Sequence, residues 1–102
     1  MRAEKERSPI AETWTVYIIE CSDCTFYTGI TNDLVRRLDQ HNTGRASRYT
    51  RTRRPVRMIY QEDYVSRSEA SIREWEIKSL SRKEKENLIL ERRIDVPFNP
   101  ID

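Results

Sequence analysis

The chain predicts an α+β domain of the order ββαβαα: a three-stranded antiparallel sheet with helices packed on it. Three features predict it. Residues 15–31, TVYIIECSDCTFYTGIT, place two strand-forming runs on either side of a turn. Leu34, Leu38 and His41 then recur at helical spacing. Ser66 with Glu69, and Ser81 with Glu84, have the spacing of capping boxes, so two more helices open in the second half.

A length of 102 residues allows one domain and one modest core. An apolar fraction of 36% and a charged fraction of 35% describe a soluble protein with a heavily charged surface. No run approaches the roughly 20 apolar residues of a membrane span. Residues 1–12 carry charges but no apolar stretch of a signal peptide. The expected location is cytoplasmic, with no membrane partner. A net charge of +2 is too small to argue for nucleic acid by itself, so its distribution matters more. The domain is expected at residues 13–92, with tails at 1–12 and at 93–102, the second holding Pro97 and Pro100.

Val16, Tyr17, Ile18 and Ile19 form a β-branched and aromatic run that suits a buried strand. Cys21 to Cys24 interrupt it, and Phe26 to Ile30 make the second strand. Parity sets a constraint here. A two-residue turn with Cys21 opposite Cys24 puts Tyr17 and Tyr27 on opposite faces; a three-residue turn or a bulge puts them together. The second arrangement is expected, because a shared site requires it. Cys21 and Cys24 are read as free thiols. A zinc site needs about four ligands and only His41 is available besides, and the pair sits in a hairpin turn rather than at a helix start.

Thr31 or Asn32 is expected to cap the first helix, with Asp33 in its first turn and Gly44 as its stop. At about 100° per residue, Leu34, Val35, Leu38, His41 and Asn42 share one face. Arg37 falls about 40° from His41 at the edge of that face, whereas Arg36 points away. His41 follows Arg37 by one helical turn, so both side chains can converge on one object. Residues 43–55, TGRASRYTRTRRP, hold Arg45, Arg48, Arg51, Arg53 and Arg54 with no acid, and Tyr49 among them. Guanidinium forks suit phosphate oxygens, and an aromatic ring can stack on a base or sugar, so this segment is the expected nucleic-acid contact.

A third strand follows at 56–64, where Val56, Met58 and Tyr60 alternate with Arg57, Ile59 and Gln61, only partly two-faced. The second helix is expected to stop near Leu80 and the third to run to about Arg92. Glu74 and Glu76 lie about 200° apart on the second helix, so only one can face the hairpin, and periodicity does not choose between them.

Val16-Tyr17-Ile18 and Tyr27-Thr28-Gly29 resemble the two tripeptides of the GIY-YIG nuclease superfamily, and the whole resembles its small single-domain bacterial members. The resemblance covers residues 14–90. It takes in the LVRRL segment, Tyr49-Thr50-Arg51 with Pro55, and the run Ala70, Glu74, Lys78, Arg82 and Lys85. It departs at Val16, where the pattern has glycine. It implies a divalent-metal-dependent endonuclease that hydrolyses phosphodiester bonds, in DNA ahead of RNA. It implies Arg37 as the catalytic arginine, His41 at a position where members carry histidine or tyrosine, and Glu74 as the ligand of one Mg²⁺ or Mn²⁺. On that reading Tyr17 is the general base on the attacking water, Tyr27 orients it, and His41 is the runner-up base. A phenol with a pKa near 10 needs positive charge beside it to ionise. The alternative is a nucleic-acid-binding module without turnover, which has no need of the lone carboxylate. Single-domain members lack appended targeting domains, so specificity is expected to be low or supplied by a protein partner.

Overall fold

The computed structural model describes residues 13–95, with side chains through Arg92. The tail expected at residues 1–12 and most of that expected at 93–102 lie outside the described residues. β1 (Trp14–Glu20) is the central strand, flanked antiparallel by β2 (Phe26–Thr31) and β3 (Arg57–Tyr64). β1 can be central because it is covered on both sides: Thr15, Val16, Tyr17, Ile18 and Ile19 are all buried.

The hairpin turn resolves the parity question. Cys21 N donates to Thr25 O at 2.8 Å and Cys24 N to Cys21 O at 2.9 Å. These bonds close a loop on Ser22, Asp23 and Cys24, with Cys24 at φ 70°. The resulting register pairs Tyr17 with Gly29 and Ile19 with Tyr27. Opposed residues share a face, so Tyr17 and Tyr27 lie on the same side of the sheet. Both cysteines are free thiols, Cys21 buried and Cys24 exposed.

The imperfect alternation of β3 has a cause. The β1–β3 register shifts between Ile18 and Ile19, so Ile18 pairs with Tyr60 while Ile19 pairs with Met58, and Ile59 is the extra residue. The bulge sends Met58 to the Tyr17 face and Tyr60 to the other. Each face then carries a cluster. Val16, Ile18 and Tyr60 pack with Ala70 and Ile77 of α3 (Arg67–Lys78), with Leu88 and Ile89 of α4 (Arg82–Asp95) against them. Tyr17, Ile19, Cys21 and Val56 pack under Leu34 and Leu38 of α1 (Leu34–Asn42).

Three expectations are corrected. The cap of α1 is Asp33, whose carboxylate accepts from Arg36 N at 3.1 Å; Thr31 Oγ1 instead accepts from Asp33 N. Val35 is 82% exposed rather than on the buried face. The helix touches a flat sheet through a narrow arc near Leu34, Leu38 and His41, which leaves Val35 about 100° from Leu34 on the outer margin. The basic segment is not all loop: Arg48–Arg51 form a single helical turn, α2, capped by the Ser47 hydroxyl accepting from Thr50 N. Ser81 and Glu84 close a reciprocal capping box, at 2.8 and 3.1 Å. α4 continues to Asp95, past the expected end.

Arg73 fixes how α3 is rotated on the sheet. Its guanidinium donates to both Glu62 carboxylate oxygens, at 2.8 and 3.0 Å, and the Tyr60 and Tyr64 hydroxyls donate to the same carboxylate. Anchoring Arg73 to β3 turns its neighbour Glu74 toward the β2 side of the helix, since successive residues differ by about 100°.

Candidate active site

Tyr17 is 1% exposed, yet its hydroxyl reaches past its own strand. It does so across Gly29 on edge strand β2. A Cβ placed on Gly29 would lie 2.5 Å from the Tyr17 hydroxyl oxygen, so only glycine lets the phenol cross there. This gives a physical reason for the glycine that follows Tyr27-Thr28. No comparable contact demands glycine at Val16, which is buried in the other cluster.

Over β2 the phenol meets α1. Tyr17 Oη is 2.8 Å from His41 Nε2, and His41 Nδ1 is 2.9 Å from Thr50 Oγ1. Thr50 Oγ1 in turn lies 3.0 Å from Ser47 Oγ and donates to Ser47 O at 3.5 Å. We assign the tautomer from this chain. A Thr50 hydroxyl that donates to the Ser47 carbonyl accepts from His41 Nδ1–H, and Nε2 then accepts the Tyr17 proton. His41 is 1% exposed and Thr50 fully buried. Tyr27 packs edge-on to His41, with ring centroids 5.2 Å apart. The structure therefore brings Tyr17, Tyr27 and His41 into one cluster.

The electrostatics place two further groups beside it. Burial pushes the Tyr17 phenol well above its usual pKa; Tyr27 adds to the rise, Arg37 opposes it by charge and hydrogen bonding, and Glu74 raises it slightly. Arg37 is half-buried at the margin of α1, while Arg36 is exposed. Glu74 belongs to the opposite layer but acts on the same hydroxyl, and its side chain is 22% exposed. It pairs with Lys78 at 3.0 Å. Glu76 is turned away, 3.1 Å from Arg73 and 50% exposed. Periodicity left these two glutamates unresolved; the Arg73 anchor separates them.

Burial, followed by the charge of Arg37, lowers the His41 pKa to about 4. The imidazole is therefore neutral at physiological pH. Its unfolded value is near 6.5, so between about pH 6.5 and 4 the unfolded chain binds a proton that the folded chain does not. Stability is then full above that window and is lost as pH falls through it, by on the order of 2–3 kcal/mol. Wild type is expected to lose thermal stability across this window, and His41→Gln to show a flatter profile. His41 is the only histidine, so an NMR titration reads it without ambiguity, and an ordinary pKa would contradict its burial.

The basic segment divides. Arg53 is paired with Asp23 at 3.0 Å, donates to Tyr49 O at 2.8 Å and lies over the Tyr49 ring, 3.9 Å from its centroid. Arg54 donates to Arg51 O and Asn42 O, and Arg45 to Thr43 Oγ1. Arg48 and Arg51 are exposed, and among the described residues neither side chain is hydrogen-bonded or ion-paired to another. Tyr49 also stacks on Tyr27, with centroids 5.9 Å apart and planes at 26°. These contacts hold the ring in place, although 37% of the residue is exposed. Thr50, which the sequence reading left without a role, is the inner partner of His41. The Ser47-x-x-Thr50 spacing signals a cap on the Thr50 backbone, but the burial of the Thr50 side chain is set by tertiary contact with His41.

The donors about Tyr17 suit a hard cation. Glu74 offers a carboxylate and the two tyrosines phenol oxygens, and among the described residues no cluster of three His, Cys, Asp or Glu side chains forms a closed metal site. One carboxylate with water and substrate oxygens filling the shell is the manner of Mg²⁺ binding. No helix among the described residues is long and apolar enough to cross a membrane.

Comparison with known proteins agrees with this arrangement. A family model described as the GIY-YIG catalytic domain matches residues 13–87. A UPF0213 protein of Staphylococcus aureus (strain Mu3) is 49% identical over 77 residues, covering 76% of this chain and 94% of that protein. The solution NMR structure of a UPF0213 protein from Bacillus halodurans matches with 43% identity and a TM-score of 0.51, over 76% of this chain and 82% of that one. The solution NMR structure of a protein from E. faecalis matches with 35% identity and a TM-score of 0.59, over 88% and 96%.

Proposed function

Because the chain belongs to the GIY-YIG family, a nuclease superfamily, we propose that it is a divalent-metal-dependent endonuclease that hydrolyses phosphodiester bonds in DNA. The observation that supports the proposal is that Arg37 and His41 of α1 and Glu74 of α3 all act on the Tyr17 hydroxyl of β1. A module that only binds nucleic acid gains nothing from placing a carboxylate there.

The Tyr17 proton is held tightly, so a preformed phenolate is scarcely populated at this site. The bond to His41 offers a concerted route that needs no free phenolate, with the imidazole a weak acceptor until phosphate charge lies beside it. As the attacking water gives a proton to Tyr17 Oη, the phenol passes its own proton to neutral His41 Nε2. Tyr17 stays neutral throughout, and the charge ends on the imidazole. The new P–O bond forms as the opposite one breaks, with its electron pair on the departing oxygen, which solvent protonates. Tyr27 orients the water, and Arg37 neutralises charge gathering on the phosphoryl oxygens. Glu74 would hold the Mg²⁺ or Mn²⁺, releasing Lys78. When bound, the cation supplies Lewis-acid stabilisation of the leaving oxygen.

Arg48 and Arg51 are the proposed phosphate contacts. Each contact to duplex DNA contributes about −0.9 to the log–log slope of binding against salt, so Arg48→Ala with Arg51→Ala should flatten the slope by one to two units. Anisotropy titrations at several salt concentrations read this directly, and an unchanged slope would remove both arginines from the interface. Activity itself is tested by incubating the protein with supercoiled plasmid in Mg²⁺ or Mn²⁺ and in chelator. Nicking that needs the cation is expected. Binding without nicking in any cation would favour the silent module.

A further inference from the structure

The segment that reads as an outward basic contact also lays Tyr49 on Tyr27 and buries Thr50. Tyr49 lies between Tyr27 and Arg53, and Arg53 is itself held by Asp23. Ser22 N donates to Arg53 O at 2.9 Å, so the hairpin turn and the basic segment close on each other. The next residue, Thr50, is fully buried against His41 Nδ1. The cap of α2, the Ser47 hydroxyl accepting from Thr50 N, uses neither contact.

Resting on the nuclease reading above, we propose that Tyr49 and Thr50 are positioning residues for phosphodiester cleavage: Tyr49 braces Tyr27, and Thr50 sets the tautomer of His41. Tyr27 stands on an edge strand and is partly exposed, so without a neighbour on its open side its ring is free to change rotamer. Stacking against a ring that is pinned from behind by Arg53 removes that freedom. His41 has a matching need. A neutral imidazole can carry its proton on either nitrogen, and only the Nδ1–H form leaves Nε2 open to the Tyr17 proton. The Thr50 oxygen selects that form. A displacement of about 1 Å at either group can cost on the order of 100-fold in rate, which gives both contacts a kinetic value. The same turn leaves Arg48 and Arg51 pointing to solvent, so one helical turn serves site geometry on its inner side and phosphate on its outer side.

The test uses Tyr49→Leu with Tyr49→Phe, and Thr50→Val with Thr50→Ser. Single-turnover rates and substrate Kd are measured on duplex and single-stranded oligonucleotides. Amide spectra establish that each variant is folded, and the serine and phenylalanine variants remain informative if a larger change unfolds the chain. Tyr49→Leu and Thr50→Val are each expected to slow cleavage about 10- to 100-fold with Kd nearly unchanged, and the conservative pair to keep wild-type rates. Weakened single-strand binding with an unchanged rate in Tyr49→Leu would show a base-stacking platform and overturn the bracing role. An unchanged rate in Thr50→Val would overturn the other half. The claim is separable from activity. Whether or not the wild type cleaves, ¹⁵N shifts of the sole imidazole should show Nδ1 protonated in wild type and a mixed tautomer in Thr50→Val, and the Tyr27 ring protons should move in Tyr49→Leu. Spectra identical to wild type would reject positioning by either residue. Absence of cleavage by wild type with these shifts present would reject the nuclease reading and leave the geometry standing.

Discussion

Replacing Arg37 by alanine is expected to slow cleavage about 100- to 1,000-fold while leaving fold and substrate binding largely intact, the loss typical of one preorganised transition-state donor. Arg36→Ala is expected to change the rate little. The two arginines are adjacent in sequence but sit about 100° apart on α1, one half-buried beside the Tyr17 hydroxyl and the other in solvent. A second consequence needs no substrate. Arg37 is one of the two causes that hold the His41 pKa down, so its removal should raise that pKa, whereas Arg36→Ala should not. Equal kinetic losses for the two variants, or a His41 titration indifferent to Arg37, would contradict the placement.

Glu74→Gln is expected to abolish metal-dependent cleavage, by at least about 100-fold, since cation stabilisation is worth several kcal/mol of barrier. The amide keeps the shape but lacks the charge that a hard cation requires. Glu76→Gln should retain both metal binding and cleavage, because Glu76 is spent on Arg73 at 3.1 Å and lies away from Tyr17. Calorimetric titration with Mn²⁺ separates the two directly. The ion pair with Lys78 is half-exposed and worth about 1 kcal/mol or less, so it does not bar the cation. Loss of metal binding in Glu76→Gln with retention in Glu74→Gln would mean that α3 is rotated differently from the Arg73 anchor.

Much of this was readable from the chain, for reasons that differ residue by residue. The strand–turn–strand run, the Ser66 cap, the Ser81–Glu84 capping box and the Gly44 stop are local, and local chemistry decides them. The face of Arg37 followed from helical angle alone. What failed depended on tertiary contact. Val35 fell outside the arc that meets the sheet. The bulge at Ile59 is invisible in a sequence that only half alternates. Periodicity could not tell Glu74 from Glu76; the resemblance named Glu74, and the geometry separates the two through Arg73, whose partner Glu62 lies on another element. That Tyr49 and Arg53 pack on each other is also invisible in composition. The role of Gly29 likewise depends on Tyr17, its partner across the sheet.

The central claim is that Tyr17, with His41 behind it and Arg37 and Glu74 beside it, forms a single hydrolytic centre. The most direct measurement is single-turnover cleavage of an end-labelled DNA duplex by wild type and Tyr17→Phe, each with Mg²⁺ or Mn²⁺ and with chelator. Phenylalanine keeps the ring over Gly29 and removes only the hydroxyl that touches His41. The account predicts cation-dependent cleavage by wild type and its loss, by about 100-fold or more, in a folded Tyr17→Phe that still binds the duplex. Cleavage by Tyr17→Phe at the wild-type rate would contradict it.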